Sequence, residues 1–443
     1  MASLQVGFGR MSITPQESVP LAGYGNNEKR MSVDVLDDLR VTCIAITDAQ
    51  DKTLLLFSQD LISSYEEKAA RAAVSEATGI PADHIMLAAT HTHSAPDQLS
   101  KLECIARWKV YYVQQVVAAA QAALADRSFA EVYINRIKTV GLNFVRHYLL
   151  SDGSYGGDNF GDFQNNTIVD HAEPNDPQMQ LIKFIRPAEG KRDIVMVNWQ
   201  AHPTVTGGVT KTDMSADFPC STRRYVESET GDLCIYFTGA AGNHNPKSRI
   251  LSETPTTDYK EFGKELGTYV IAAQKNMVKL EPGQIKTTQK LYVGQINHEM
   301  ENKLEQAKEV SALFAATDRA TGNTLAREYG FSSVYHAGAV IRRKDYAQTC
   351  TMELNACSVG EISFIAAPYE MFAAHGSYIK DHTPFEMTFV MSCCNGSNSY
   401  LPTNLAFDYG CYESFTGNFV RGTGDDLAQN FVSMLEQQKQ SLE

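Results

Sequence analysis

A short apolar segment that runs directly into two closely spaced histidines is the strongest constraint in this sequence. Met86–Ala89 has the composition of a buried β-strand, and His91 and His93 follow it. In an extended chain, residues i and i+2 point to the same side, so both imidazoles can face one point at the end of a sheet. Ser94–Pro96 then closes the segment with residues typical of a turn. The pattern favours a metal ion with an activated water, and the alternative is two loop histidines bonded to nearby carbonyls.

The bulk composition is that of an ordinary globular protein. The chain has 443 residues, of which 43% are hydrophobic and 21% charged, and its formal net charge is -13. The absence of a Lys/Arg run argues against nucleic acid and acidic membranes as partners. Without a bilayer-spanning stretch or an apolar signal core, the sequence predicts a cytoplasmic protein with no stable membrane association. Nine scattered cysteines without a CxxC pair are typical of reduced thiols.

Strand and helix patterns follow one another along the chain and predict its fold class. Val41–Ile46 and Thr53–Phe57 flank a polar turn and are predicted to form a hairpin. Further helices and strands are expected at Tyr65–Thr78, Trp108–Ala125 and Tyr259–Val278, and at Ile194–Trp199, Cys234–Phe237, Ile362–Ala366 and Met387–Met391. No linker divides the chain. We therefore expect residues 1–443 to form a single α/β domain, with a mixed β-sheet core, or two sheets, wrapped by helices.

Polar residues follow five of these strands. They are His91 and His93 after Met86–Ala89, His202 after Ile194–Trp199, the Gly-rich turn Thr238–Pro246 after Cys234–Phe237, Glu370 after Ile362–Ala366, and Tyr400 after Met387–Met391. Ligand sites of open α/β sheets lie beyond the carboxyl ends of the strands, so the five clusters argue for one shared site. Taken alone, His202 could terminate a strand and Glu370 could cap a helix.

Five groups of motifs, in a fixed order along the chain, are similar to those of one enzyme family. They are Gly7–Pro15 with Pro20–Gly25 at the start, Thr90–Pro96, which is similar to THTHSGP, His202–Thr204 with Ser215–Pro219, the Gly-rich turn Gly239–Pro246, and Tyr400–Thr403 with Tyr412 and Glu413. Together they resemble the catalytic domain of the neutral/alkaline non-lysosomal ceramidases. The matches cover nearly the whole chain, and the THTHS element is the most specific of them.

This resemblance implies a zinc-dependent amidase with a neutral-ceramidase-like catalytic domain. The metal ligands that it implies are His91, His202, Glu370 and Tyr400. It also implies that His93 serves as acid and base, that Tyr412 polarises the scissile carbonyl, and that Arg146 lines the pocket.

The Gly-rich turn departs from the family pattern at one position. Asn245 stands where ceramidases carry a serine, and a carboxamide cannot form an acyl-enzyme, so hydrolysis is expected to use metal-activated water. Gly242, Asn243 and Asn245 are predicted to bind substrate. The sequence ends soon after Tyr412, so the immunoglobulin-like domain that ceramidases append is expected to be missing.

Other polar residues receive supporting roles. Asp60 and Asp217 are predicted either to orient the imidazoles as hydrogen-bond acceptors or to cap strand ends. His84, His147 and His244 are predicted to be surface or core histidines rather than ligands.

The leading hypothesis is a zinc-dependent hydrolase that cleaves an amide, or an ester, of a small polar substrate. The alternatives are a metal-dependent lyase or isomerase acting on a polar, sugar-like substrate, and a catalytically idle zinc-binding protein. The polar segment Ser151–Asp170, which includes a predicted surface loop over 153–166, is expected to close over a small hydrophilic molecule rather than to hold acyl chains. The partner is thus a small molecule, and the sequence leaves a homo-oligomer open.

Overall fold

The structure is a computed structural model that describes residues 4–24, 30–157, 166–247, 250 and 258–442. Its strands are β1 (Leu4–Ser12), β2 (Asp34–Val35), β3 (Arg40–Thr47), β4 (Thr53–Gln59), β5 (Ile85–Ala89), β6 (Ser128–Lys138), β7 (Asn143–Val145), β8 (His147–Leu150), β9 (Tyr155–Gly157), β10 (Ile168–His171), β11 (Gln178–Ile185), β12 (Ile194–Trp199), β13 (Asp213–Met214), β14 (Leu233–Thr238), β15 (His244–Pro246), β16 (Val278–Leu280), β17 (Ile285–Gln295), β18 (Thr349–Val359), β19 (Ile362–Ala366), β20 (Glu370–Met371), β21 (Met387–Met391) and β22 (Tyr400–Leu401). Its α-helices are α1 (Glu67–Thr78), α2 (Glu103–Ala125), α3 (Val205–Val209), α4 (Asp217–Thr230), α5 (Tyr259–Ala273), α6 (Leu304–Ala316), α7 (Arg319–Glu328), α8 (Val334–Arg343), α9 (Ala373–His382), α10 (Asn404–Tyr409), α11 (Tyr412–Thr416) and α12 (Thr423–Gln440).

The larger sheet is mixed and has nine strands among the described residues. Eight strands follow the order β14-β12-β11-β6-β1-β3-β4-β5, and β16 pairs with β6. The pairs β4–β5 and β12–β14 are parallel, and the others are antiparallel. The predicted hairpin is confirmed as β3 and β4, and its turn is held by the Asp48 carboxylate, which accepts hydrogen bonds from the N–H groups of Gln50 and Lys52.

A smaller sheet, in the order β17-β18-β19-β21, packs face to face on the larger one. The apolar layer between the sheets contains Leu54 and Leu56 of β4 and Phe237 of β14 on one side, and Phe364 and Phe389 on the other. These side chains are buried. The predicted mixed core is confirmed, in the form of two facing sheets.

Helices cover the outer face of each sheet. α1 and α2 pack on the part of the larger sheet that contains β3, β4 and β5, while α4 and α5 pack on β11, β12 and β14. α9 and α12 pack on the smaller sheet. The layers are therefore helix, sheet, sheet and helix. This arrangement explains why β4 is buried along its whole length and has an almost continuous apolar sequence.

The three predicted helices are present, but α1 begins at Glu67 rather than Tyr65, α2 begins at Glu103 rather than Trp108, and the third helix ends early. α1 and α2 end at Thr78 and Ala125 as predicted, and Gly79 terminates α1 with a left-handed φ of 73°. The third helix ends at Ala273 rather than at Val278, because Val278 belongs to β16 and pairs with β6.

Two glycines allow β1 and α2 to approach each other closely. A Cβ atom at Gly7 would lie 2.0 Å from the carbonyl oxygen of Ala123, and one at Gly9 would lie 2.2 Å from that of Ala119. No side chain fits between these backbones, so the Gly-x-Gly pattern near the start of the chain is a packing requirement.

The carboxyl ends of strands from both sheets meet at one rim. The Thr238 hydroxyl at the end of β14 donates a hydrogen bond to the carbonyl oxygen of Thr90, beyond β5 (2.7 Å). The Ser392 N–H beyond β21 donates to the carbonyl oxygen of Thr238 (3.1 Å). Segments that follow these strands are thereby brought together, as the sequence predicts.

The predicted polar lid is described only in part. Residues 158–165 lie outside the described ranges. On either side of them, β9 and β10 both pair with β8 in a small sheet, so part of the predicted loop is strand. Across the described chain, no helix combines the length and the apolar character needed to span a bilayer.

Candidate metal centre

Two imidazoles are oriented by backbone carbonyls so that their Nε2 atoms face one point. His91 Nδ1 donates to the carbonyl oxygen of Ile62 (2.6 Å), and His202 Nδ1 donates to that of Ala241 (2.7 Å). The ring centroids lie 4.7 Å apart, and both rings are buried. A ring that donates from Nδ1 can present the electron pair of Nε2, which is the arrangement that a metal ligand needs.

The sequence argument assumes that both histidines lie in an extended chain, but the structure places them beyond the strand. β5 ends at Ala89, and His91 has a left-handed φ of 70°, which is uncommon for a residue with a side chain. The His91 N–H donates to the carbonyl oxygen of Leu61 (2.9 Å) and holds this conformation. The i, i+2 argument is therefore wrong, although the rings of His91 and His93 still converge, with centroids 5.1 Å apart.

Glu370 brings a carboxylate oxygen to the same point. Its Oε2 atom lies 3.2 Å from His91 Nε2 and 3.3 Å from His202 Nε2. Within the described part of the chain, neither Glu370 Oε2 nor His202 Nε2 has a hydrogen-bond partner, although both atoms are buried. Buried polar atoms without a partner are costly. The two atoms face each other at 3.3 Å, so a single cation could be bound by both of them.

His93 lies against the same group. Its Nε2 is 3.4 Å from His91 Nε2, and the ligand atoms of His91, His93 and His202 all lie within 4.8 Å of one another. Its ring packs edge-on against Tyr24 at 5.1 Å. Gly23 makes room for the ring, since a Cβ atom there would lie 2.6 Å from His93 Cγ. The division of His93 and His91 into acid–base and ligand roles stays a prediction.

Charge is distributed unevenly over the cluster. Burial opposes a charge on His91, but Cys393 and Glu370 raise the pKa of His91 well above its usual value. Burial likewise opposes the carboxylate of Glu370, but the facing histidines lower its pKa well below the usual range. Burial lowers the pKa of His202 to about 4 and that of His93 well below its usual range. His91, which faces Glu370, thus favours the charged form, whereas His93 and His202 favour the neutral form.

Tyr400, Arg146 and Tyr412 lie together on one side of this cluster. Tyr400 is the partner of Glu370 in the parallel pair of β20 and β22. The Arg146 guanidinium carbon lies 5.6 Å from the centre of the Tyr400 ring, and the Tyr412 and Tyr400 rings are 6.2 Å apart. Burial raises the pKa of Tyr400 well above its usual value and that of Tyr412 to about 12. Both phenols therefore keep their protons at neutral pH, and Tyr412 can act as a hydroxyl donor.

A buried chain of hydrogen bonds that the sequence analysis missed lies beneath Arg146. Glu413 Oε1 accepts from Arg146 Nε (2.9 Å) and Nη2 (2.6 Å), and Glu413 Oε2 lies 2.8 Å from His147 Nε2. His147 Nδ1 lies 2.7 Å from the Tyr409 hydroxyl, which donates to Glu173 (2.6 Å). The sequence analysis includes Glu413 in the Tyr412 motif and predicts His147 to be a surface or core histidine, but it does not bring the two residues together.

Gly242 and Asn243 of the Gly-rich turn contact the backbone that carries the cluster. The Gly242 N–H donates to the carbonyl oxygen of Met371 (2.7 Å), and a Cβ atom at Gly242 would lie 2.8 Å from that of Glu370. The Asn243 side-chain oxygen accepts from the N–H of Ala373 (2.9 Å) at the start of α9. These contacts fix the position of Glu370, and the predicted substrate contacts of both turn residues stay predictions.

The two residues that follow differ in exposure. His244 is fully buried, its Nδ1 atom lies 3.0 Å from the carbonyl oxygen of Ala240, and its Nε2 accepts from the N–H of Asp176 (3.1 Å). This is a core histidine, as predicted. Asn245 is half-buried, and its Oδ1 lies 3.5 Å from Arg146 Nη1, so it is the turn residue whose side chain borders the predicted pocket.

Asp60 and Asp217 do not orient the imidazoles. Asp60 forms a buried bidentate ion pair with Arg223, in which Nη1 donates to Oδ1 (2.9 Å) and Nη2 donates to Oδ2 (2.7 Å). Asp217 accepts from the N–H groups of Thr206 and Phe218, each at 2.7 Å. Their predicted role as acceptors for the histidine rings is wrong, because backbone carbonyls already take those hydrogen bonds.

The residues present fit a zinc ion. Imidazole nitrogen, carboxylate oxygen and a phenol oxygen are ligand types that zinc accepts, usually in sets of four. The donors that the cluster brings together are the imidazoles of His91, His93 and His202 and the carboxylate of Glu370, with Tyr400 paired beside Glu370. The buried atoms Glu370 Oε2 and His202 Nε2, which face each other at 3.3 Å, are placed as a shared cation requires.

Fold and site together define a class of two-sheet α/β proteins with histidine, glutamate and tyrosine side chains at one rim. No protein-family model and no curated protein matches the chain significantly. Two solved structures share its fold along its whole length. One is neutral ceramidase from Pseudomonas aeruginosa, with a TM-score of 0.73 and 16% identity, matching 100% of this chain and 75% of that one. The other is a ceramidase complexed with C2, with a TM-score of 0.73, 15% identity and coverages of 100% and 76%. The predicted neutral-ceramidase-like fold is confirmed.

Proposed function

We propose that this protein is a metal-dependent hydrolase that cleaves an amide bond, or an ester bond, in a small polar substrate. The observation that carries this proposal is the convergence of His91 Nε2, His202 Nε2 and Glu370 Oε2 on one buried point. The fold supports it, because the two solved structures named above, which share the fold, are ceramidases.

The metal would be zinc, held by His91, His202, Glu370 and Tyr400. Bound zinc supplies a Lewis acid for a carbonyl oxygen and lowers the pKa of water from 15.7 to about 7. Backbone carbonyls behind the two rings keep both Nε2 atoms available for it.

His93 would move the proton. Its ring is neutral because burial lowers its pKa, and its Nε2 lies close to that of His91. A neutral imidazole in this position can accept a proton from the attacking water and return it to the leaving amine.

Tyr412 and Arg146 would bind the carbonyl oxygen as negative charge develops on it. The Tyr412 hydroxyl keeps its proton at neutral pH, since burial raises its pKa to about 12. Arg146 carries a permanent charge, and its Nη1 borders Asn245. Hydrogen bonds aimed at a developing oxyanion commonly supply the largest electrostatic contribution to such reactions. Asn245 would orient the substrate without attacking it.

The test combines metal analysis with an amide panel. Purified protein is expected to contain about one zinc per chain, in line with a four-ligand site, and to release amine from short acylamides. His202→Ala is the control that should lose both. Zinc without turnover would indicate an idle binding protein, and a conversion that leaves the acyl bond intact would indicate lyase or isomerase chemistry.

Substrate size is tested with competing fluorogenic amides of short and long acyl chains. Polar side chains, among them Arg146, Asn245 and His93, surround the candidate centre, so the short polar amide is expected to react faster. A strong preference for the long-chain lipid amide would contradict the proposed substrate class and favour ceramide itself.

A further inference from the structure

We propose that Glu413 is a positioning residue that sets the direction of Arg146 for catalysis. The inference rests on the proposed hydrolase function, in which Arg146 binds the reacting carbonyl oxygen. Glu413 itself is fully buried and lies behind Arg146, so it acts through the arginine.

The hydrogen bonds of Arg146 leave one nitrogen for the site. Nε and Nη2 donate to Glu413, and Nη2 also donates to the carbonyl oxygen of Gly242 (3.0 Å). The remaining nitrogen, Nη1, donates to Asn245 Oδ1 (3.5 Å), and the guanidinium carbon lies 5.6 Å from the centre of the Tyr400 ring. A planar guanidinium held on two edges has little rotational freedom, so Glu413 determines where Nη1 points.

Glu413 also binds a neighbouring histidine. The Tyr409 hydroxyl donates its proton to Glu173, and His147 Nδ1 lies 2.7 Å from that hydroxyl. His147 Nε2 faces the Glu413 carboxylate at 2.8 Å. Both ring nitrogens of His147 are therefore engaged in hydrogen bonds, and Glu413 lies between this ring and Arg146.

These hydrogen bonds argue against a second metal site in the cluster around Glu413. His147, Cys411 and Glu413 have the spacing of three ligands. Both carboxylate oxygens of Glu413 are already engaged by Arg146 and His147, and the positive charge of Arg146 would repel a divalent ion. The cluster is instead a hydrogen-bonded set, in which Arg146 and His147 share Glu413 and the Tyr409 hydroxyl links His147 to Glu173.

The chain geometry couples Glu413 to the proposed carbonyl-binding tyrosine. Glu413 follows Tyr412 in the short helix α11, and the Gly417 N–H closes that helical turn on the Glu413 carbonyl oxygen (2.8 Å). One turn of helix therefore directs Tyr412 into the site and Glu413 beneath it. Loss of the carboxylate should disturb both proposed carbonyl contacts.

A double-mutant cycle with Glu413→Gln and Arg146→Lys in the metal-loaded protein tests the proposal. Glu413→Gln keeps the shape of the side chain and should lower kcat/KM by about 100-fold, the cost of a misplaced catalytic group, chiefly through kcat. Because Glu413 acts through Arg146, the double variant should be no slower than Arg146→Lys alone. Asp126→Asn, which removes a carboxylate from the remote pair of Asp126 with Arg186, controls for general destabilisation and should keep full activity.

The same cycle is measured by chemical unfolding, which needs no substrate. The two substitutions should then change the unfolding equilibrium constant by clearly less than the product of their separate effects. Multiplicative effects on both kcat/KM and unfolding, or a Glu413→Gln variant within twofold of wild type, would overturn the proposal. If no acylamide is hydrolysed by the wild-type protein, the proposed function fails, and the unfolding cycle alone decides whether Glu413 and Arg146 are coupled.

Discussion

At the scale of single residues, the candidate centre depends on backbone atoms as much as on its ligands. The His91 and His202 rings are held by carbonyl oxygens, and His91 is held in a left-handed conformation. Motifs identify such side chains, but they do not reveal which group orients them. This is why the ligand candidates could be named from sequence while Asp60 and Asp217 were given a role that belongs to the backbone.

The proposed division of the three histidines predicts different effects on metal content. His91→Ala and His202→Ala should each lose zinc, because each removes one of four ligands. His93→Ala should keep zinc and lose turnover, because it removes the proposed acid and base. Elemental analysis and an acylamide assay of the three variants check this. An empty site in His93→Ala would reverse the assignment within the pair.

The raised pKa of Asp217 predicts that the protein loses stability as the pH rises. Burial, with added repulsion from Asp37, raises its pKa from 3.8 to about 6, against the opposing hydrogen bonds from Phe218 and Thr206. The folded state therefore prefers the protonated acid, so stability is fully present below pH 4 and falls as the pH rises through 6. Asp217→Asn should remove a loss on the order of 2–3 kcal/mol.

Chemical denaturation of both proteins at pH 4 and pH 7.5 measures this effect. Asparagine tolerates the left-handed φ of 57° at this position, so the substitution should not strain the backbone. An unchanged difference between wild type and variant at the two pH values would contradict the assignment.

The sequence analysis names Glu413 and His147 but assigns neither a role in the site. Glu413 belongs to the family motif with Tyr412, and His147 is predicted to be a surface or core histidine. Glu413 contacts Arg146 and His147 across the fold, at sequence separations that no local pattern encodes. The hydrogen bonds that give these two residues a role therefore appear only in three dimensions.

At the scale of elements, strands buried on both faces could be predicted, and strands with a polar face could not. β4 and β12 are buried throughout and are apolar or β-branched almost without interruption. β17 is long but largely exposed, with a polar sequence, and β16 has only three residues. These two strands exist because a neighbour supplies their hydrogen bonds, and a single sequence does not identify the neighbour.

Replacing a glycine by alanine is predicted to have opposite effects on stability at the crowded β1–α2 contact and at an open position in α8. Gly9→Ala should destabilise the protein strongly, because its Cβ would meet the carbonyl oxygen of Ala119 at 2.2 Å. Overpacking of this kind costs about 1–3 kcal/mol or more. Gly338→Ala, in the middle of α8 with nothing within 4 Å of the added Cβ, should stabilise by about 0.5–1 kcal/mol.

Thermal unfolding of the two variants, compared with wild type, provides the measurement. Comparison of Gly9→Ala with Gly338→Ala separates the steric clash at Gly9 from the general effect of replacing glycine by alanine. If Gly9→Ala were as stable as wild type, the backbone separation of β1 and α2 would have to be larger than described.

At the scale of the whole molecule, the two sheets share one apolar layer and should unfold together. Phe389 of the smaller sheet packs against Phe364 at 5.7 Å and faces Phe237 of the larger sheet at 6.5 Å. Phe389→Ala should cost about 3–5 kcal/mol. It should lower the midpoint of a single transition, whereas Phe129→Ala, at a position 46% exposed, should have little effect.

Calorimetry with two spectroscopic probes tests the shared core. Coincident transitions in wild type and in Phe389→Ala are expected. Two separate transitions, with only one shifted by the substitution, would mean that the sheets are independent folding units, contrary to the predicted single domain.

The apolar layer also imposes an order on protein synthesis. The larger sheet is complete once β16 has been made, whereas every strand of the smaller sheet lies between β17 and β21. At ribosomal rates the emerging chain waits on the order of ten seconds for those strands. Until β21 has been made the cover on the inner face of the larger sheet is incomplete, and Glu370 is made only late in that interval and Tyr400 after it. We therefore expect the nascent chain to need chaperone protection, and zinc loading to begin only near the end of translation.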